Sequence, residues 1–173
     1  TNDSFPTDRS LLSDLFNTEF SNNDHEIRWI MRPKYTNSRK KDTQWDQSKL
    51  FLTRSHNGNI ILKIKGFLLS LIDKYTIANN EIQKNKPDII QVRNGIFESL
   101  ISIRLSNKYG IKFSFMLSSM HGFYDDKEIL KDYSGFRYSY NVIASYIKST
   151  IYRMIINRAD FFQPITKWMK NAL

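Results

Sequence analysis

The stretch KPDIIQVRNGIFESL, residues 86–100, decides the class of fold. Its apolar run Ile89–Val92 is typical of a strand, and the run stops at the polar turn Arg93–Gly95. Apolar residues then recur three and four positions apart from Ile96 to Leu105, which predicts a helix. We expect the Asn94 side chain to cap this helix and Glu98 to suit the positive end of its dipole. A strand therefore leads directly into a helix.

The same pattern continues after this helix. Gly110 stands where a helix often ends, and the run Lys112–Leu117 is typical of the next strand. A strand, a helix and a strand in this order predict a parallel pair joined by a right-handed crossover, and such sheets bind ligands beyond the carboxyl ends of their strands. We therefore expect chemistry at Arg93–Gly95 and at Ser118–Gly122.

Strands and helices alternate along most of the chain. Helices are predicted over residues 8–21, 60–81, 96–109 and 136–157 and from residue 166, and strands over residues 25–31, 49–53, 89–92, 112–117 and 161–165. Residues 34–46 lack periodicity and read as a loop, and residues 122–135 read as irregular. This order predicts one three-layer α/β domain over residues 1–173, with a mainly parallel, Rossmann-like sheet and helices on both faces.

Composition narrows the classes of function. The chain has 173 residues, 40% of them hydrophobic, which suits one globular domain, and its formal charge is +9. Its basic residues are scattered, and the densest cluster, Arg39–Lys41, reads as a solvated loop. The absence of cysteine excludes disulfides, thiolate metal sites and cysteine catalysis. The three histidines lack ligand spacing, so no metal is expected. The longest apolar run, Gly66–Ile72, is far short of the roughly 20 residues that span a bilayer, so we expect a cytoplasmic protein.

Four segments in a fixed order resemble the amino-terminal domain of family 4, GT-B glycosyltransferases. They are residues 86–94 (KPDIIQVRN), residues 107–115 (NKYGIKFSF), the pair His121-Gly122 and residues 158–166 (RADFFQPIT). Residues 23–30 (NDHEIRWI) are also similar to the segment that precedes the second strand of that family. The resemblance covers nearly the whole chain from Pro6 onward.

The resemblance implies one half of a two-domain enzyme. This half would shape the acceptor site, and a second Rossmann-like domain, absent here, would hold the nucleotide-sugar, so this chain alone should be inactive. A first strand would precede Thr1. The enzyme would be a retaining hexosyltransferase that builds a glycan or glycoconjugate from a nucleotide-sugar co-substrate and a glycan or lipid-linked acceptor, without a cofactor. It would work in the cytoplasm, with the inner face of the membrane as a possible peripheral contact, and would not bind nucleic acid.

The resemblance also implies roles for individual residues. His121 matches the histidine that lines the cleft near the transferred sugar, and would orient sugar hydroxyls or the leaving phosphate. Residues expected to bind substrate lie in the three loops at the carboxyl edge of the sheet: Asp3, Asp8, Arg9, Arg93, Asn94, Ser118 and Ser119. The first of these loops lacks the glycine pair of the family, so the N-terminus of the following helix would offer the backbone donors there and Arg9 the charge.

Each of these assignments has an ordinary structural alternative. His121 could be a surface histidine, Arg93 could form an ion pair, and the serines could cap a strand end. Tyr124–Asp126 reads as a solvated turn and not as a metal site. The tyrosines of the helix at 136–157 could line the core or a membrane surface.

Two other functions remain as alternatives to the glycosyltransferase. A sugar-nucleotide 2-epimerase has the same fold but needs carboxylates in the cleft, and a basic nucleic-acid-binding module needs aromatic and basic residues on one strand face.

Overall fold

The computed structural model describes residues 25–32, 41–45, 48–56, 58–117 and 136–164. The chain divides into two compact units, Thr1–Lys84 and Asn85–Leu173. Each unit contains one sheet of three strands. The described part of the chain is therefore an α/β protein with three helices, and the prediction of one domain over residues 1–173 stays a prediction. No helix in these ranges is long and apolar enough to cross a membrane.

The sheet of the first unit consists of β1 (Arg28–Met31), β2 (Lys41–Trp45) and β3 (Ser48–Leu52), in the order β1-β3-β2. The β1–β3 pair is parallel, with Trp29 opposite Leu50, and the β2–β3 pair is antiparallel. The interpretation of residues 34–46 as a loop is therefore wrong for β2. This strand is a polar edge strand with the sequence KDTQW, and polar residues there discourage pairing with other chains while leaving no apolar alternation to detect.

Helix α1 (Ile60–Lys84) completes the described part of the first unit and confirms the predicted helix at 60–81. Asn59 begins it, because its Oδ1 accepts the N–H of Leu62 at 3.0 Å. Near its other end Glu81 is buried and accepts hydrogen bonds from Arg28 of β1 and from Lys84. These contacts join the carboxyl half of α1 to the sheet of its own unit.

The second unit follows the strand–helix pattern predicted from residues 86–117. Its elements are β4 (Ile89–Arg93), α2 (Ile96–Tyr109), β5 (Lys112–Leu117), α3 (Phe136–Arg158) and β6 (Phe161–Pro164). The sheet has the order β4-β5-β6, and both pairs are parallel. The predicted parallel pairing of the Ile89 and Phe113 strands is confirmed, with Ile90 opposite Phe113 and Val92 opposite Phe115.

The core of the second unit lies on one face of this sheet. Phe113, Phe115 and Leu117 alternate along β5, so their side chains share that face, and each is almost fully buried. They form one cluster with Ile103 of α2 and with Tyr152 and Ile155 of α3. Both described helices of the unit therefore pack on the same face, and helices on the other face stay a prediction.

Gly110 ends α2 as predicted. Its φ of 61° lies in the left-handed region, and its N–H donates to the Ser106 carbonyl. The Ser106 hydroxyl then donates to the carbonyl of Ile111, the first residue after the turn. A residue without a Cβ is needed here because the left-handed conformation is strained for other residues.

Candidate functional site

The turn at the carboxyl end of β4 has an unusual backbone. Asn94 has a φ of 58°, the one positive φ of a non-glycine residue among those that the structure describes. Asparagine adopts this left-handed conformation at lower cost than other side chains except glycine. The conformation turns the chain sharply after Arg93, so that β4 ends and α2 begins within three residues.

Two hydrogen bonds hold this turn in place. The Asn94 N–H donates to the Met116 carbonyl of β5 at 3.0 Å. The Asn94 carbonyl accepts the hydroxyl of Tyr152, from α3, at 2.9 Å. Because one bond comes from the neighbouring strand and the other from a packed helix, the backbone of the turn is fixed from two sides.

Gly95, and not the Asn94 side chain, occupies the cap position of α2. The prediction that Asn94 is the cap residue of this helix is therefore wrong. The Gly95 carbonyl instead accepts both the N–H and the hydroxyl of Ser99. The Glu98 carboxylate folds back over the same position, because a Cβ on Gly95 would lie 2.5 Å from Glu98 Oε2. Glu98 is in the first turn of the helix, as predicted, where its charge suits the dipole.

Tyr152 stays a hydrogen-bond donor over a wide range of pH. Burial raises the pKa of its phenol above the ordinary value of 10.0, and the negative charge of Glu98 raises it further. Both causes disfavour the phenolate, since burial removes water and Glu98 adds a like charge. The donated bond to Asn94 is therefore intact at neutral pH.

Two of the predicted substrate-binding residues, Arg93 and Asn94, lie in the described part of the carboxyl edge of the β4-β5-β6 sheet. Arg93 lies opposite Met116 in the parallel register, so the end of β4 is beside the end of β5, where the chain continues from Leu117 toward Ser118. The other predicted site residues lie outside the described residues, and these are Asp3, Asp8, Arg9, Ser118, Ser119 and His121. Their roles stay predictions.

Glu98 and Tyr152 were missed as members of this edge. The sequence pattern assigns Glu98 only to the helix dipole, and it places Tyr152 only among the tyrosines of the helix at 136–157. A signal for Tyr152 exists in its spacing to Ile155, which places both on the packed side of α3, and a buried tyrosine hydroxyl needs a polar partner. Tyr140 and Tyr146 of the same helix are exposed, so the tyrosines of α3 do not share one environment.

Asp160, in the segment 158–166 of the resemblance, has a structural role at the opposite end of the sheet. The Asp160 carboxylate accepts the Phe113 N–H at 2.9 Å and the Lys112 ammonium at 2.7 Å, at the start of β5. The hydrogen bond from Lys112, followed by the one from Phe113, lowers the pKa of Asp160. Because ligands of parallel sheets bind at the carboxyl ends of the strands, this carboxylate belongs to the fold and not to the candidate site.

A shallow depression runs along β2 and β3 of the first unit. It has a volume of about 390 Å³ and is lined by Asp42, Thr43, Gln44, Ser48 and Lys49. Of the predicted site residues, the two that the structure describes, Arg93 and Asn94, are not among its lining. Among the residues that the structure describes, no group of three histidine or carboxylate side chains could hold a metal ion.

No protein-family model matches the chain, and no curated protein matches it at a meaningful level of similarity. The candidate site therefore rests on the geometry of the β4 turn.

Proposed function

We propose that this chain is the acceptor-side, Rossmann-like half of a GT-B glycosyltransferase of family 4. The single observation that carries the proposal is the turn at Arg93-Asn94, held at the carboxyl edge of a parallel β4-β5-β6 sheet. Parallel α/β sheets place their ligands at this edge, and the resemblance expects acceptor contacts at these same two residues. The three-layer arrangement, with helices on both faces, is part of this proposal.

Arg93 and Asn94 would position the acceptor. A guanidinium at this edge can bind a phosphate or several hydroxyls of an acceptor through its planar set of donors. The Asn94 side chain can both donate to and accept from a sugar hydroxyl. Since two hydrogen bonds fix the Asn94 backbone, these side chains start from a fixed position, which lowers the entropic cost of orienting the acceptor.

His121 would act beside them as the residue that orients the donor sugar or its leaving phosphate. Ser118 and Ser119 would contact the ligand from the same loop, and Asp3, Asp8 and Arg9 from the first loop. The nucleotide-sugar would bind mainly to a second domain, so turnover belongs to the complete enzyme, which would work in the cytoplasm, with the membrane as a possible peripheral contact.

The test is turnover by the complete enzyme, measured as nucleotide release over a panel of nucleotide-sugars. We expect His121→Ala to lower turnover by roughly ten- to a thousandfold with an unchanged melting temperature, as for the loss of one or two positioned hydrogen bonds. Arg93→Ala should weaken acceptor use, whereas Arg104→Ala, an exposed arginine of α2, should not.

Three results would overturn the proposal. The first is no nucleotide release by the complete protein with any nucleotide-sugar. The second is robust turnover by residues 1–173 alone. The third is equal activity of the Arg93→Ala and Arg104→Ala variants on the acceptor.

A further inference from the structure

Helix α3 carries a regular row of exposed side chains on a side that does not pack on the core. The members of this row, termed the α3 row, are Tyr140, Ile143, Ile147, Thr150 and Met154. Its four large members are between 41% and 64% exposed. The core contacts of the helix come from another side, where Tyr152 and Ile155 are buried. The α3 row is therefore free to contact another molecule.

The spacing of the α3 row is that of a coiled-coil seam. Its members are separated by three, four, three and four residues, which is the alternation of a and d positions in a seven-residue repeat. The row extends over two such repeats, about 21 Å of helix at 1.5 Å per residue. A stripe of a and d positions alone is narrower than the apolar face of a helix that packs on a globular core, and it fits a second helix.

The one polar member of the α3 row does not prevent its burial. The Thr150 hydroxyl donates to the Tyr146 carbonyl of the same helix at 2.9 Å. Because the hydroxyl is satisfied within the helix, a partner side chain can cover the threonine methyl group without leaving an unpaired donor. All five members can therefore be buried together.

The charges of α3 are all positive. Residues 136–158 contain no Asp or Glu, and their charged residues are Arg137, Lys148, Arg153 and Arg158. With the α3 row at a and d positions, Arg153 takes a g position and Arg158 an e position, and both residues are exposed. Side chains at e and g positions flank the seam and select the partner helix by charge. A matching partner helix is therefore acidic beside its own apolar seam.

The same charges disfavour a second copy of this chain as the partner. In a parallel pair of α3 helices, Arg153 of one copy would face Arg158 of the other, because g positions meet e positions of the next repeat. In an antiparallel pair, the helix offers no carboxylate to meet any of its basic residues. Like charges along a seam oppose pairing, so self-association through the α3 row is not expected.

We propose that the α3 row is the docking surface for an acidic amphipathic helix of a partner protein. The partner helix would cover Ile143 and Ile147 with apolar residues at its own a and d positions, and its carboxylates would pair with Arg153 and Arg158. The proposal is independent of the glycosyltransferase proposal, because the α3 row contains no residue of the candidate site.

The probes for the experiment are two designed helical peptides of three heptads each. Both peptides have leucine at a and d positions, and they differ at e and g positions, which are glutamate in the acidic peptide and lysine in the basic one. Fluorescence anisotropy measures the binding of each labelled peptide to the chain. We expect the acidic peptide to bind at least about tenfold more tightly than the basic one, and its binding to weaken as salt rises, because salt screens the flanking ion pairs.

A pair of double variants locates the binding surface. Ile143→Ser, Ile147→Ser should weaken binding of the acidic peptide by at least about tenfold, since it removes two aliphatic side chains from the middle of the row. The matched control is Ile64→Ser, Leu68→Ser on α1, where these residues are 55% and 54% exposed. The control should bind the acidic peptide within about twofold of the unchanged chain. Circular dichroism checks that both variants keep their helices.

The control residues of α1 point outward because contacts on another side of that helix fix its orientation. The Asp73 carboxylate accepts two hydrogen bonds from the Arg54 guanidinium, at 2.9 and 2.7 Å. A Cβ on Gly66 would lie 2.7 Å from the His56 backbone nitrogen, so the helix approaches the chain closely there. The control variant therefore removes equally exposed aliphatic side chains from a helix of fixed orientation.

A charge reversal tests the flanking positions. Arg153→Glu, Arg158→Glu should bind the acidic peptide at least about tenfold more weakly than the unchanged chain does, and the basic peptide more tightly. An unchanged preference for the acidic peptide in this variant overturns the proposal.

Other results would assign the α3 row to a different occupant. Absence of binding to the acidic peptide overturns the proposal, and so does an equal loss of binding in the α1 control. Self-association in light scattering that Ile143→Ser, Ile147→Ser abolishes, without peptide binding, overturns it in favour of a second copy. Co-sedimentation with phosphatidylglycerol vesicles that the same variant abolishes, again without peptide binding, overturns it in favour of a lipid surface.

Discussion

Removing the Tyr152 hydroxyl tests how the turn at the carboxyl end of β4 is held. In Tyr152→Phe the ring can stay in the core, where the residue is only 6% exposed, but the Asn94 carbonyl loses its donor at 2.9 Å. One net hydrogen bond is worth about 1 kcal/mol, and the donor is lost in a half-buried position where water replaces it poorly, so we expect a loss of about 1–2 kcal/mol in the free energy of unfolding.

The assay for this variant is urea unfolding followed by circular dichroism. With a denaturant slope of about 2 kcal/mol per molar urea, a loss of about 1–2 kcal/mol lowers the midpoint by about 0.5–1 M. Tyr146→Phe is the matched control, because it makes the same change on the same helix at a residue that is 75% exposed. Its midpoint should move by less than about 0.25 M, as for a surface substitution of under about 0.5 kcal/mol.

The pH dependence gives a second readout of Tyr152. Its folded-state pKa is raised above the unfolded value of about 10, so the stabilising contribution is complete below pH 10 and is lost as pH rises through the folded pKa. The unchanged chain should lose this part of its stability in alkali, and Tyr152→Phe should not. Equal urea midpoints for Tyr152→Phe and Tyr146→Phe, or identical alkaline profiles for Tyr152→Phe and the unchanged chain, would refute the reasoning.

Substitutions at three positions, Asn94, Gly110 and Asp160, test further features of the second unit. Asn94→Gly should leave stability within about 0.5 kcal/mol while Asn94→Ala costs about 1 kcal/mol, because alanine is strained at a φ of 58°; equal stabilities of these two variants in urea would contradict a strained turn. Gly110→Ala should lower the free energy of unfolding by about 1 kcal/mol through its left-handed backbone alone, since a Cβ there meets only the Lys86 ammonium at 4.0 Å. Gly110→Asn should lower it less, so thermal melting of the two variants separates the effect of conformation from that of packing. Asp160→Asn should reduce the loss of stability in acid. The pKa of Asp160 is lowered in the folded state, so its stabilising contribution is present above the unfolded pKa near 4 and is lost as pH falls through the folded pKa. If the variant leaves the acid-unfolding profile unchanged, other groups supply that stability.

The sequence by itself determined the order of most elements. The helices at residues 60–84, 96–109 and 136–158 and the strands at 89–93, 112–117 and 161–164 follow from local periodicity, and Gly110 marks a helix end that glycine alone makes cheap. The parallel pairing of β4 and β5 also followed from the sequence, because a helix between two strands leaves little other choice. The carboxyl edge of this pair, with Arg93 and Asn94, was located for the same reason.

Only the tertiary structure decided which partners these elements find. The strand β2 is too polar to show a period, and its pairing with β3 alone reveals it. The cap residue of α2 is Gly95 and not the predicted Asn94, because Asn94 has a left-handed backbone conformation. Hydrogen bonds with Met116 and Tyr152, which lie elsewhere in the chain, hold that conformation. The orientation of α1 was hidden for a similar reason: periodicity identifies its apolar stripe, but an ion pair and a glycine contact, formed with residues distant in sequence, select the side that is buried.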